Sequence, residues 1–68
     1  MSNIRHPELL ADIEAFLAHT GMGESYFGKK ATGNSEIVAR LRSGGRVWPE
    51  TERQARDFMA ARLAEREV

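Results

Sequence analysis

Glu24-Ser-Tyr-Phe-Gly-Lys-Lys-Ala-Thr-Gly-Asn-Ser-Glu-Ile-Val-Ala-Arg-Leu-Arg42 places a glycine, Gly28, in the middle of a segment that otherwise reads as helix. Glycine inside a helix costs about 1 kcal/mol relative to alanine. A common structural return is the close approach of another backbone where a larger side chain has no room. Asn34, past the breakers Thr32 and Gly33, is suited to cap a second helix with its side-chain oxygen. The stretch therefore predicts helices over residues 24–31 and 35–43, pressed together at a steep angle. In the first, Phe27 and Ala31 share an apolar face beside Gly28. In the second, at about 100° per residue, Ile37, Val38 and Leu41 turn inward, leaving Ser35, Glu36, Ala39, Arg40 and Ser43 outward.

Outward from this pair the chain continues as helix on both sides. Leu9, Leu10, Ile13, Phe16 and Leu17 recur at helical spacing and predict a helix over 7–20. Pro7 suits its first position, Glu8 complements its positive end, and Gly21 can take the left-handed conformation that ends it. His19, near that end, is expected to interact with the terminal carbonyls. Gly44 and Gly45 close the third helix, and Pro49 with Glu50 and Glu52 opens a fourth over 49–66. Its stripe of Ala55, Phe58, Met59 and Leu63 predicts core, or partly a subunit interface. Trp48 is expected to plug the edge of a small core. With no strand pattern and no repeat, the expected fold is all-α: a compact four-helix domain.

A chain of 68 residues makes one domain that buries only about 60% of its unfolded surface, leaving little room for an enclosed active site. The absence of cysteine excludes disulfides, thiolate zinc sites and a cysteine nucleophile. His6 and His19 are not spaced as paired ligands on one helix turn, so no metal is expected. No residues are spaced as an acid–base pair, a nucleophile with its base, or a phosphate-cradling glycine loop. The chain is thus expected not to be an enzyme, and to take no cofactor and no small-molecule substrate. It shows no apolar core of signal-peptide length and no apolar run near the roughly 20 residues that span a bilayer, so a cytoplasmic protein with no membrane partner is expected.

Ten cations balance ten acids. Their distribution is uneven: between residues 29 and 46 stand Lys29, Lys30, Arg40, Arg42 and Arg46 against Glu36 alone. That segment carries a net +4 and the rest of the chain a compensating −4, so the distribution of charge says more than its sum.

Gly28, Val38, Leu41 and Gly44, with Phe27 and Ala31 at the other apolar positions, fall without a gap where Cro/C1 repressor-like (XRE-type) helix-turn-helix domains place the corresponding residues. Those domains carry a small residue in the first motif helix, two apolar residues packed against it from the recognition helix, and a closing glycine. The chain resembles that family well over residues 24–44 and more loosely in the flanking helices. It departs in two respects: the turn reads Thr32-Gly33 where the family has glycine and then an apolar residue, and four helices stand where five are usual. The turn geometry is therefore expected to differ, with the left-handed residue displaced by one.

The resemblance implies a lambda-repressor-like fold and a regulator that binds double-stranded DNA, with helix 35–43 in the major groove. Base-reading candidates are then Asn34, Ser35, Glu36, Ala39 and Arg40, with Arg40 suited to guanine O6 and N7. Tyr26, Lys29, Lys30, Arg42 and Arg46 are the candidates for phosphate. A homodimer through the last helix is expected to supplement the few contacts of one module, with RNA polymerase or a regulatory protein as a further partner. Zero net charge and Glu36 on the outward arc keep a rival reading open. On that reading the same fold serves as a protein–protein interaction module, of anti-repressor, antitoxin-like or adaptor kind, without DNA binding.

Overall fold

A computed structural model describes residues 5–66. Four helices follow one another: α1 (Pro7–Thr20), α2 (Glu24–Thr32), α3 (Ile37–Arg42) and α4 (Pro49–Arg66). The all-α expectation holds. Helix α2 lies against both α3 and α4, and α1 also packs against α3 and α4. The apolar stripes meet in one core of Leu9, Leu10, Ile13 and Phe16 from α1, Phe27 from α2, Ile37, Val38 and Leu41 from α3, and Ala55 and Met59 from α4. The buried Phe16 and Phe27 form a triangle with the partly buried Phe58, ring centroids 5.6–6.3 Å apart in tilted and edge-on pairings that suit aromatic quadrupoles.

Local chemistry explains the boundaries. Pro7 enters α1 at its first turn, and the Gly21 amide, with φ 73°, donates to the Leu17 carbonyl at the other end. The Thr20 hydroxyl donates to the Phe16 carbonyl at 2.8 Å and accepts from the Met22 amide at 3.3 Å. His19 is exposed and makes no hydrogen bond to these carbonyls, which take the Thr20 hydroxyl and the Gly21 amide instead. Helix α3 ends in a Schellman closure: the Gly45 amide donates to the Arg40 carbonyl at 2.8 Å and the Gly44 amide to the Leu41 carbonyl at 3.2 Å.

Two expectations need correction. Helix α3 begins at Ile37, not Ser35, because Asn34 caps a turn instead of the helix. Its side-chain oxygen accepts the Glu36 amide at 3.0 Å and its carbonyl accepts the Ile37 amide at 3.3 Å, so the chain makes a tight bend before α3 starts. Trp48 does not plug the core; it is 80% exposed. The inward position belongs to its neighbour Val47, which packs on the core while its amide donates to His6 Nε2 at 3.2 Å. With Val47 turned in and Pro49 starting α4, the indole is left outside.

Candidate nucleic-acid interface

Gly28 positions the candidate surface. A β-carbon there would fall well inside contact distance of the Asn34 carbonyl oxygen, and only 3.0 Å from Ile37 Cγ2 and 3.2 Å from Ser35 Cα. The close approach read from the sequence is therefore present, but its partners are the bend at 34–35 and Ile37, where Val38 and Leu41 were expected. The Gly28 carbonyl completes the joint. It accepts from the Thr32 hydroxyl at 2.9 Å and from the Asn34 amide at 3.2 Å, while Gly33 takes φ 80° and donates to the Lys29 carbonyl at 3.0 Å. The left-handed residue of the turn is thus Gly33, which only glycine adopts readily.

With the bend held on α2, Ile37, Val38 and Leu41 turn fully into the core. Asn34, Ser35, Glu36, Ala39 and Arg40 all face solvent, and four of them line one shallow hollow together with Ser43. Four of the five base-reading candidates are therefore brought together, and Ser35 is exposed in the bend next to Asn34 in the chain. Arg40 is held at its root. Its carbonyl accepts both the Gly45 amide and, at 3.0 Å, the Ser43 hydroxyl. Its aliphatic stem lies so close over Gly45 that a β-carbon there would collide with Arg40 Cγ. The guanidinium forms no ion pair among the described residues.

The phosphate candidates divide. Lys29 and Lys30 are exposed on the last turn of α2, and Arg46 is exposed in the loop after α3; none has an ionic partner among the described residues. Tyr26 is half exposed, with the Lys30 ammonium 5.8 Å from its ring centre. Arg42 stands apart: its Nε donates to Glu14 of α1 at 3.1 Å, and its Nη1 pairs with Glu24 of α2. The hydrogen bonds to Glu14 and then Glu24 hold its pKa above the usual arginine value. Arg42 is a clasp across three helices, and its charge is already matched. Arg56 plays the like part between α4 and α1, pairing with Asp12 at 2.8 Å and Glu52 at 3.1 Å, and its pKa is raised for the same reason.

Three features escaped the sequence reading: the Arg42 clasp, the Gly45 seat and the exposure of Trp48. A pair of glycines after a helix signals closure, but does not say which side chain lies over the second. Glu14 lies far from Arg42 along the chain, and no pattern in the sequence marks the pair. Among the described residues, no three His, Asp or Glu side chains converge as metal ligands. No helix there is long and apolar enough to cross a membrane. Comparison with family models, curated proteins and solved structures gives no match.

Proposed function

We propose that the chain is a sequence-specific, double-stranded DNA-binding transcriptional regulator that presents α3 and the bend before it to the major groove. One observation carries this reading. The Gly28 joint holds a short helix with its apolar side wholly buried and its polar side wholly exposed, carrying Arg40 and flanked by Lys29, Lys30 and Arg46, four cations with no ionic partner among the described residues. Arg40, steadied on Gly45, donates its fork to guanine O6 and N7. Asn34 has its oxygen engaged by the Glu36 amide, which leaves its NH2 group to donate to a base or phosphate. Ser35 serves either role, Glu36 accepts from a cytosine amino group, and Ala39 admits a thymine methyl. Lys29, Lys30, Arg46 and Tyr26 hold phosphates, and Arg42 leaves that set because its Nε and Nη1 already pair with two carboxylates.

Six residues of α3 extend about 9 Å, enough to face roughly three base pairs. A homodimer with two such helices about 34 Å apart would supply the missing specificity. Binding of the full chain to a labelled random duplex, titrated with salt, tests the proposal. Three phosphate cations predict a slope of log affinity against log salt near −3 for one subunit. Arg40→Ala should relax sequence preference, and Lys29→Ala and Lys30→Ala should weaken all sequences alike. Absence of binding at low salt would refute the reading.

A second reading, a protein-interaction module on the same fold, draws on a different surface. An open groove between α1 and α4 is lined by Ala15, Phe16, Met59, Ala60 and Leu63 together with Asp12, His19 and Arg56, and Leu63 is 38% exposed. This surface also suits the dimer contact through α4. Size measurement of the Leu63→Glu variant beside the native chain tests that contact.

A further inference from the structure

Trp48 is the only tryptophan of the chain and its most exposed large apolar side chain among the described residues. Its loop is anchored at each end. The Schellman closure fixes Gly44 and Gly45, the Val47 amide donates to His6 Nε2, and the Trp48 carbonyl accepts the Glu52 amide at 3.0 Å to begin α4. An indole held outward on an anchored loop is preorganised for contact and exposes apolar surface that gives nothing to the fold. Arg40 lies over Gly45, so the loop adjoins the hollow of α3, and Arg46 and Trp48 line one concave surface with Val47 and Pro49.

We infer that Arg46 and Trp48 form a second contact with the DNA strand that flanks the α3 site, an inference that rests on the DNA-binding reading above. The indole offers a flat apolar face and a single N–H donor with no acceptor. A deoxyribose presents C–H surface, and its phosphate presents only acceptors, so one sugar-phosphate unit satisfies both parts of the ring. Arg46 takes the neighbouring phosphate. Sugar and phosphate carry no base identity, so this contact strengthens binding to every sequence and sets register without reading bases.

The single indole makes the contact directly measurable. Anisotropy of a labelled duplex reports binding of the full chain, while emission and acrylamide quenching report the surroundings of Trp48. Duplex addition should shield Trp48 from acrylamide. Trp48→Ala should weaken preferred and random duplexes equally, by about tenfold, the value of covering about 60 Å² of apolar surface. Trp48→Phe, which keeps an apolar face but loses the donor, should fall between. Arg46→Ala should lower the salt slope by about 1, and Trp48→Ala should leave it unchanged. Because Trp48 lies outside the core, its replacement should leave the thermal melt intact. If the duplex binds while Trp48 stays fully quenchable and Trp48→Ala binds as the native chain does, the inference is overturned and the DNA reading stands. If no duplex binds at low salt, both fall together.

Discussion

Replacing Gly28 by alanine sets two physical effects against each other, and they differ in sign. Helix propensity alone predicts stabilisation by about 1 kcal/mol, since alanine is the better helix former and restricts the unfolded chain. The packing predicts the reverse. The new methyl would overlap the Asn34 carbonyl oxygen and press on Ile37 Cγ2 at 3.0 Å and Ser35 Cα at 3.2 Å. Two of these neighbours are backbone atoms, so the bend must retreat by about 1 Å to regain ordinary contact. Retreat stretches the hydrogen bonds from the Asn34 amide to the Gly28 carbonyl, 3.2 Å, and from the Ile37 amide to the Asn34 carbonyl, 3.3 Å. Overpacking costs about 1–3 kcal/mol and a weakened hydrogen bond about 1 more. Against the propensity gain, net destabilisation comes to about 2 kcal/mol, a fall in Tm of roughly 8–16 °C for a domain of this size. Thermal melting followed by circular dichroism measures it. Gly23→Ala is the control: no atom beyond its chain neighbours lies within 4 Å of its added methyl and φ −75° suits alanine, so only the poorer N-cap of α2 counts against it, about 0.5 kcal/mol, and its Tm should fall by no more than about 4 °C. A Gly28→Ala chain that melts at or above the native temperature would refute the argument from close approach.

Gly45→Ala should displace Arg40 from its seat, so sequence preference in a binding assay should fall toward that of Arg40→Ala while affinity for random duplex holds; unchanged preference would show that the seat is not needed. Arg42→Ala should leave the salt slope of duplex binding unchanged, whereas Lys29→Ala should reduce it by about 1. The Arg42 clasp is half exposed, so its removal should lower Tm only slightly, and less at high salt. Its arginine pKa is raised, so the stability that this shift contributes is fully present below the ordinary arginine range. It is lost only as pH rises beyond that range, and melting near neutrality should show no arginine titration. Phe27, fully buried between Phe16 and Phe58, should cost about 3–5 kcal/mol when cut to alanine. Total stability for a chain of this length is roughly 3–10 kcal/mol. Phe27→Ala should therefore be largely unfolded or melt far lower, and a native-like melt would show the core misassigned.

The four helices were legible because each has a periodic apolar stripe and unambiguous punctuation. Pro7 and Gly21 bound α1, Gly33 ends α2, Gly44 and Gly45 end α3, and Pro49 opens α4. The outward set of α3 was legible for the same reason: with Ile37, Val38 and Leu41 on one face, Glu36, Ala39 and Arg40 have only the other. The start of α3 was not. Asparagine caps a helix and a tight turn through the same side-chain oxygen, and the contact of the bend with Gly28, made across the two helices, accompanies the turn.

Sequence by itself determined the helices, the buried stripes and the need for a glycine at position 28, because these follow from backbone preference and from periodicity along one segment. Only the tertiary structure decided which charges remain free and which large side chain remains outside. Arg42 looks like its basic neighbours until α1 and α2 bring Glu14 and Glu24 against it, and Trp48 looks like core until Val47 takes the inward place beside His6. Such outcomes depend on distances between segments far apart in the chain, and no local pattern encodes a distance.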